Sequence, residues 1–207
     1  MISCVFFRLI QFVGRLVFSL YAPLTIWGAE HVPTTGAFLL AINHVSALDP
    51  IVVYLACPRR VVFLAKGELW RSFLFRIAAG IFHIIPVDRD NPNTTTVKRS
   101  LRALQSGVPV LIAPEGTRSD DGQLRAFKSG FVKLARKARV PVVPVAVNGT
   151  FEVMPRQRKF PKPGRIAGSF GQPYTEFLDG NLKEEEISWH TRALNSTIAS
   201  LLKRHKI

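Results

Sequence analysis

The sequence predicts an α/β domain with a largely parallel or mixed central sheet flanked by helices. Short apolar runs of strand length recur along the chain, and few polar residues interrupt them, which is typical of strands buried on both faces. Stretches with helical periodicity separate these runs, and alternating strands and helices favour a parallel sheet. With 207 residues and 47% apolar residues, the chain is long enough for one well-buried domain and short for two.

The N-terminal part predicts an amphipathic helix. Between Val5 and Leu20, the polar residues Arg8, Gln11, Arg15 and Ser19 recur every three or four positions, so a helix gathers them on one narrow stripe. The remaining surface of this helix is apolar.

The apolar surface of this helix predicts a membrane-associating segment that lies in the interface of a bilayer. The longest uncharged run, Leu16–Ala29, is interrupted by Pro23 and is shorter than the ~18 apolar residues of a spanning helix. An alternative is that the helix simply packs on the rest of the domain. We therefore divide the chain into an interfacial helical segment, residues 1–26, and an α/β domain, residues 27–207.

A second apolar segment, Phe73–Val87, carries only Arg76 and His83 as charged or titratable residues. It follows Trp70 and Arg71, and this combination of an aromatic and a basic residue suits the depth of lipid headgroups. Two such segments favour contact with a membrane over one buried helix.

The central sheet is predicted from five apolar runs, and the helices from periodic segments between and after them. The predicted strands are Ala37–Ile42, Val61–Ala65, Ile84–Val87, Val108–Ala113 and Val142–Val147. The predicted helices are Thr94–Ser106, which Gly107 ends, Ser129–Arg139, and Leu182–Lys206, whose acidic start and basic end complement a helix dipole.

The charge of the chain indicates an anionic partner. Lys and Arg number 28 against 14 Asp and Glu, which gives a net charge of +14 and a field that attracts any polyanion. No zinc-ligand spacing, RNP-like aromatic run or recognition helix supports nucleic-acid binding, so an anionic membrane or a phosphorylated substrate is favoured. Cys4 and Cys57 suggest neither a disulfide framework nor a metal site, and the N-terminus lacks the pattern of a secretory signal, which fits a reducing cytosolic face.

Polar residues follow each predicted strand at the point where it ends. In an open parallel sheet the carboxyl ends of the strands line one crevice, so these side chains are expected to converge there. In chain order they are Asn43 and His44, Lys66, Asp88 and Arg89, Pro114 to Arg118, and Asn148.

His44 and Asp49 are the candidate catalytic residues. Pro50 disfavours helical geometry at Asp49 and suits the first helical position, so Asp49 is expected at an N-cap, from which it meets His44 across a tight loop. Taken singly, Asp49 is explained by capping and His44 by a polar strand end. Together, a carboxylate that orients the imidazole makes His44 a base for a hydroxyl, as in hydrolase triads without their serine. The nucleophile is then the substrate's own alcohol.

The segment from Pro114 to Ser119 predicts a phosphate-binding turn. Gly116 permits close backbone approach, and the guanidinium of Arg118 offers the bidentate fork that phosphate favours. Arg89 and Lys66 complete a cationic pocket, although either could instead pair with a neighbouring acidic residue. Glu115 is expected to orient the arginines or a glycerol hydroxyl.

The basic, proline-bearing stretch Pro155–Gly164 is left open between two interpretations. It either covers a site or touches phosphate, or it is a solvated loop.

At these residues the chain resembles the 1-acyl-sn-glycerol-3-phosphate acyltransferases of phospholipid synthesis, over about Trp27 to Gln172. Four blocks in the family's order carry the resemblance, with Phe127-Lys128-Ser129-Gly130 as a fifth match. They are Asn43-His44 with Asp49, Val87-Asp88-Arg89, Pro114-Glu115-Gly116-Thr117-Arg118-Ser119, and Val140-Pro141-Val142-Val143-Pro144-Val145.

The resemblance implies a one-step transfer of an acyl group from acyl-CoA or acyl-carrier protein to the sn-2 hydroxyl of lysophosphatidic acid, giving phosphatidic acid. His44 would take the proton from the hydroxyl while Asp49 orients it, without a metal, a cofactor or a covalent acyl-enzyme. The enzyme would be membrane-associated on the cytoplasmic face. The glycerol phosphate would be held by Arg89, Glu115, Gly116, Thr117 and Arg118, with Lys66 as a helper.

Three departures from the family pattern, at Ala113, Gly67 and Ile84-Ile85-Pro86, bear on the acyl-chain length and on the acceptor. One alternative is therefore an acyltransferase that acts on glycerol-3-phosphate or another lysophospholipid. The other is a non-catalytic, basic, peripheral membrane-binding protein, which has no need for His44 and Asp49 together with the phosphate-binding turn.

Overall fold

The computed structural model describes residues 4–66, 84–87 and 95–207. Within these ranges one seven-stranded sheet has the order β1-β7-β6-β2-β5-β3-β4. The strands are β1 Leu24–Trp27, β2 Leu39–Ile42, β3 Val62–Lys66, β4 Ile84–Val87, β5 Val110–Ile112, β6 Val142–Asn148 and β7 Ile166–Phe170. The helices are α1 Cys4–Tyr21, α2 Asp49–Ala56, α3 Thr95–Gln105, α4 Gly130–Ala138, α5 Thr150–Val153 and α6 Glu184–Arg204, with a 3-10 turn at Ala29–His31.

The sheet is mixed, with a parallel centre. β6, β2, β5, β3 and β4 run in one direction, whereas β7 pairs with β6 in the antiparallel sense and β1 runs parallel to β7. The predicted fold class is therefore confirmed. The carboxyl ends of the five parallel strands lie at one edge of the sheet. Asn43 and His44 follow β2 at this edge, and the segment from Pro114 to Arg118 follows β5 there.

All five predicted strands are present, but the sequence did not indicate β1 and β7. β7 is buried along its whole length, yet its sequence contains Gly168 and Ser169, so it does not stand out as an apolar run. A Cβ placed on Gly168 would lie 3.6 Å from Cβ of Ala56 and 3.8 Å from Cγ1 of Val52, so α2 covers this part of β7 at ordinary contact distance. β1 places residues from Leu24 onwards in the sheet, so the sheet begins just before the division proposed at residues 26 and 27. That division remains a prediction.

Two apolar cores pack on the two faces of the sheet. One contains the buried residues of α1 and α2, with Leu40 and Ile42 of β2 on their side. The other contains the buried residues of α4 and α6, with Leu39 and Ala41 of β2 on the opposite side. The alternation of side chains along β2 therefore supplies both cores, as expected for a central strand covered by helices.

α1 is docked along its polar stripe. The side-chain amide of Gln11 donates hydrogen bonds of 2.8 Å to the carbonyl oxygen of Tyr54 and 2.7 Å to that of Cys57. Nε of Arg15 donates one of 2.9 Å to the carbonyl oxygen of Leu55. These acceptors lie at the end of α2, where helix carbonyls lack partners within the helix. Gln11 and Arg15 therefore cap α2.

The opposite side of α1 is apolar and exposed to solvent. Its large exposed residues are Val5, Phe6, Leu9, Phe12, Val13, Leu16, Val17, Leu20 and Tyr21. The helix thus packs on the domain with one side and leaves an apolar stripe uncovered on the other. Among the described residues, no helix combines the length and the apolar character needed to cross a membrane. Residues 73–83 of the second apolar segment lie outside the described residues.

Candidate active site

The site is built on the carboxyl edge of the parallel strands. β2 and β6 are joined at this edge by Asn43, whose side chain donates a hydrogen bond of 2.9 Å to the carbonyl oxygen of Val147 and accepts one of 2.8 Å from its N–H. Asn43 therefore continues the ladder between the two strands by one side-chain pair. The residue that follows it, His44, is thereby held at a defined height above the sheet.

His44 and Asp49 are in direct contact, as the sequence spacing predicts. Nδ1 of His44 donates a hydrogen bond of 2.9 Å to Oδ2 of Asp49. The Asp49 side chain is completely buried, whereas that of His44 is 22% exposed. Since the carboxylate fixes the proton on Nδ1, Nε2 carries the free lone pair of the imidazole. This arrangement suits a base that acts on a hydroxyl from the open side.

Asp49 is held by three further hydrogen bonds. Its Oδ2 accepts bonds of 2.8 Å from the N–H groups of both Val45 and Ser46. Its Oδ1 accepts one of 2.5 Å from the hydroxyl of Thr150, the first residue of α5. Burial of a carboxylate is costly unless hydrogen bonds satisfy it, and here both oxygens are bonded.

The N-cap position expected for Asp49 is wrong by one residue. α2 begins at Asp49, and Leu48 occupies the N-cap. The carboxylate does not bond forward into the first turn of α2. It bonds backward to the N–H groups of Val45 and Ser46, because the loop from His44 folds over the start of the helix.

Glu115 is buried directly beneath His44. The Glu115 side chain is 4% exposed, and its Oε1 accepts a hydrogen bond of 2.9 Å from the backbone N–H of His44. Its Oε2 is also buried and has no hydrogen-bond partner among the described residues. Burial raises the pKa of Glu115 to about 7, against the smaller lowering effect of the His44 N–H. The carboxyl group of Glu115 thus interacts mainly with the backbone N–H of His44, and the backbone N–H of Arg125 lowers its pKa to a smaller extent.

The turn after β5 is fastened to the loop that carries His44. Gly116 has a φ of +79°, a conformation that favours glycine, and its N–H donates to the carbonyl oxygen of Ala113 at 3.1 Å. The N–H of Ser119 donates a hydrogen bond of 2.8 Å to the carbonyl oxygen of His44. Together with the Glu115 bond, this contact places the predicted phosphate-binding turn beside the imidazole.

Thr117 and Arg118 are half-buried in this turn. Arg118 forms no hydrogen bond or ion pair with the rest of the described chain, so its guanidinium remains available for an anion. Lys128 adds a second cation nearby, because a Cβ placed on Gly116 would lie 3.0 Å from its Nζ. The N–H of Lys128 also donates to the carbonyl oxygen of Pro114 at 3.0 Å.

Two of the predicted phosphate ligands, Lys66 and Arg89, lie partly or wholly outside the described residues. Lys66 ends β3, which is the neighbour of β5, so its backbone lies at the same edge of the sheet. Its side chain, and Asp88 and Arg89 altogether, lie outside the described residues. Their roles stay predictions.

Asn148 was expected to converge on the same crevice, and this expectation is wrong. Its side-chain amide donates hydrogen bonds of 3.1 Å to the carbonyl oxygens of Leu202 and His205, at the end of α6. The side chains of Asn148 and Val147 point to opposite faces of β6, so Asn148 faces α6 and caps the end of that helix.

Sequence reasoning also missed residues that support the site. Thr150 follows a predicted strand closely, but a single threonine carries no signal that it bonds to Asp49. Lys128 was noted only within a matching block, and its approach to Gly116 depends on the fold. The hydroxyl of Ser46 donates a hydrogen bond of 2.6 Å to the carbonyl oxygen of Met154, which anchors the His44 loop to the segment after α5.

A separate groove of about 640 Å³ lies at the other edge of the sheet. It is lined in part by Trp27, which stacks on His205, and by residues that follow β7. None of the predicted site residues that the structure describes lines it. The candidate site is therefore defined by the hydrogen bonds around His44 and not by this groove.

The fold and this site define an α/β protein with a histidine–carboxylate couple at the carboxyl edge of a mixed sheet. Comparison with known proteins gives its family. A family model described as Acyltransferase matches residues 23–148, and the chain belongs to this acyltransferase family.

Named relatives agree with this assignment. A 1-acyl-sn-glycerol-3-phosphate acyltransferase of Bacillus subtilis (strain 168) is 30% identical over 194 residues, which cover 90% of this chain and 92% of that protein. One of Limnanthes alba is 36% identical over 143 residues, which cover 67% of this chain and 50% of that protein. The match thus spans about half the length of the plant relatives.

A solved structure is similar along almost the whole chain. The crystal structure of the 1-acyl-sn-glycerophosphate (LPA) acyltransferase PlsC from Thermotoga maritima superposes with a TM-score of 0.79 at 25% identity. It covers 95% of this chain, and the match covers 79% of the Thermotoga chain. The α/β architecture described above is therefore shared with that protein.

Proposed function

We propose that the chain transfers a fatty acyl group from acyl-CoA or acyl-carrier protein to the sn-2 hydroxyl of 1-acyl-sn-glycerol-3-phosphate, which forms phosphatidic acid in phospholipid synthesis. The observation that carries the proposal is the hydrogen bond between His44 and Asp49 beside the turn that contains Arg118, whose guanidinium has no partner in the described part of the chain. Relatives named as 1-acyl-sn-glycerol-3-phosphate acyltransferases support the choice of acceptor.

His44 acts as the base in this reaction. Nε2 takes the proton of the acceptor hydroxyl while the hydroxyl oxygen bonds to the carbonyl carbon of the thioester. The carbon–sulfur bond then breaks, and the proton on Nε2 passes to the departing thiolate. Asp49 stabilises the imidazolium and keeps Nδ1 as a donor throughout. The substrate alcohol is the nucleophile, so the step needs neither a serine nor an acyl-enzyme.

The cations of the neighbouring turn bind the phosphate of the acceptor. Arg118 supplies a planar fork that suits two phosphate oxygens, and the backbone at Gly116 allows close approach. Thr117 contributes a hydroxyl, and Arg89 and Lys66 are proposed as further ligands. Glu115 supports the site through its hydrogen bond to the backbone of His44, and a role toward a glycerol hydroxyl is proposed for it.

The protein works at a membrane surface, on the cytoplasmic face. The uncovered apolar stripe of α1 supports this location, because large apolar residues in contact with water favour transfer to a bilayer interface. An apolar surface also delivers the lysolipid and limits the access of water to the thioester.

The test is an analysis of lipid products formed by the purified chain with both donors and several acceptors. Acyl-CoA and acyl-carrier protein are offered in turn with lysophosphatidate, glycerol-3-phosphate and a neutral lysolipid. The proposal is supported if, of the three acceptors, only lysophosphatidate is acylated and phosphatidic acid is the product. Preference for another acceptor contradicts the sn-2 assignment, and binding of lipid without any transfer contradicts catalysis.

A further inference from the structure

We propose that residues 155–164, the Phe160 loop, form a second membrane-binding surface that places Phe160 in the interface of an anionic bilayer and its basic residues on the lipid headgroups. This inference goes beyond the proposed reaction, because lipid binding by the loop does not depend on acyl transfer.

The first observation is the exposure of a large aromatic ring. Phe160 is 78% exposed, whereas Phe127, Phe131, Phe170 and Phe177 lie in or against the two cores. The residues around it, from Arg156 to Pro163, are also exposed. An aromatic ring held in water on a proline-bearing loop is poised to gain by transfer to an apolar environment.

The second observation is the charge around the ring. The stretch from Met154 to Arg165 contains five basic residues and no acidic one. Arg156 is paired with Asp120 at 3.0 Å. The other four form no ion pair among the described residues: Arg158, Lys159, Lys162 and Arg165. An anionic lipid surface attracts each cation near it, so these charges complement a bilayer rather than a neutral surface.

The third observation is the position of the loop beside α1. The hydroxyl of Tyr21 donates a hydrogen bond of 2.5 Å to the carbonyl oxygen of Pro161, the residue after Phe160. The N–H of Gly164 donates one of 3.4 Å to the carbonyl oxygen of Tyr21. Tyr21 ends α1, next to Leu20, which is 84% exposed. The loop therefore continues the uncovered apolar stripe of α1.

These observations together favour a lipid surface as the partner. A nucleic acid would use the cations but gains little from the continuous apolar stripe of α1. A protein groove could accept Phe160 alone, but it does not account for the four cations near the ring that form no ion pair within the described ranges. A bilayer accounts for the whole surface formed by α1 and the Phe160 loop, because it accepts apolar and aromatic side chains below the headgroups and binds cations at the headgroups.

The loop is also tied to the candidate site at its base. The carbonyl oxygen of Met154 accepts the hydrogen bond from Ser46 in the His44 loop. Arg156 pairs with Asp120, which directly follows the phosphate-binding turn. Seating the loop on a bilayer therefore sets the distance between the lipid plane and His44.

The experiment measures binding of the full chain to vesicles by flotation. The vesicles contain phosphatidylcholine alone or phosphatidylcholine with phosphatidylglycerol. Phe160→Ala is expected to weaken binding about tenfold on both kinds of vesicle, because the bound chain would bury the phenylalanine ring in the bilayer and the variant lacks this ring. Phe160→Trp is expected to bind at least as well as the unchanged chain, because tryptophan favours the interface. Trp189→Ala is the matched control, since Trp189 is a 53% exposed aromatic on α6 and is expected to leave binding unchanged.

The charge component has its own pair of variants. Replacing Arg158, Lys159 and Lys162 together by Gln is expected to weaken binding at least about tenfold on the anionic vesicles and little on the neutral ones. The matched control replaces three exposed cations of the α4 and α6 side, Lys137, Arg139 and Arg192, by Gln. It removes the same charge and is expected to have a much smaller effect.

The proposal is overturned if the unchanged chain does not bind vesicles, or if Phe160→Ala and the loop charge variant bind as tightly as their controls. Acyl transfer to a short-chain, water-dispersed lysophosphatidate is measured in parallel. If vesicle binding depends on Phe160 but no acyl transfer occurs, the proposed function is contradicted and this inference is supported. If acyl transfer occurs but vesicle binding does not depend on Phe160, this inference is contradicted and the proposed function is supported.

Discussion

The hydroxyl of Thr150 donates a hydrogen bond of 2.5 Å to Oδ1 of Asp49, on the opposite oxygen from the one that contacts His44. Thr150 is fully buried and begins the short helix α5, so a residue that closely follows β6 orients a carboxylate that begins α2. The couple at the site thus depends on two segments that are distant in the chain.

Thr150→Val removes this bond and keeps the shape of the side chain. We expect kcat to fall about tenfold, because a buried Oδ1 without a donor costs roughly 1–3 kcal/mol and weakens the orientation of Asp49. Thr150→Ser keeps the donor and is expected to retain most activity. Steady-state kinetics of both variants check this; equal losses would show that the hydroxyl has no positioning role.

His44→Ala is expected to lower the rate of acyl transfer at least about a thousandfold, because the base that accepts the hydroxyl proton is lost. A purified assay with a labelled acyl donor measures this rate. His205→Ala is the control, because His205 stacks on Trp27 at the other edge of the sheet. Retained transfer by His44→Ala would rule out the assignment of the base.

Arg118→Ala is expected to raise the KM for lysophosphatidate about tenfold or more and to change the KM of the acyl donor little, because a charged hydrogen bond to phosphate is lost. Arg102→Ala removes the same charge from an exposed position of α3 and serves as the control. An unchanged dependence on the acceptor would remove the phosphate role of Arg118.

Glu115→Gln tests the effect of burial on a carboxyl group. Because burial raises the pKa of Glu115 from 4.5 to about 7, the folded chain keeps a proton that the unfolded chain releases between these values. The stability from this group is therefore fully present below about pH 4.5 and is lost as the pH rises to about 7. The whole loss is up to about 3 kcal/mol.

The measurement for Glu115 is urea unfolding at about pH 4.5 and about pH 8. Glu115→Gln keeps an acceptor for the His44 N–H and is expected to lose less stability over this range than the unchanged chain. Glu152→Gln, which replaces an exposed carboxylate, is the control. Equal pH dependence in the unchanged chain and in Glu115→Gln would contradict a raised pKa.

The sequence predicts the sheet well where strands are apolar throughout. The run at Val142–Val147 could be recognised as a buried strand, since its side chains reach both cores. β7 could not be recognised, because its burial depends on α2 packing over Gly168. The local sequence shows whether apolar residues recur with the period of a strand or of a helix. The fold decides which neighbouring element covers that strand or helix.

The candidate site shows the same limit. The meeting of His44 and Asp49 could be predicted, because a short loop with Pro50 brings the two together locally. The bond from Thr150, the contact of Glu115 with the His44 backbone and the approach of Lys128 to Gly116 join distant segments, and no local pattern records them. Asn148 was misassigned because the sequence shows that it ends a strand but does not show on which face of the sheet its side chain lies.

Removing α1 to obtain a more soluble protein for crystallisation would destabilise the domain. Gln11 and Arg15 supply the donors for the last carbonyls of α2, and Leu55 packs against Gly14. A truncated chain would leave these oxygens and part of one core open to water, at the far end of the same eight-residue helix that starts with Asp49. Replacing individual outward-facing residues of α1, such as Leu9 or Phe12, is the safer route to solubility.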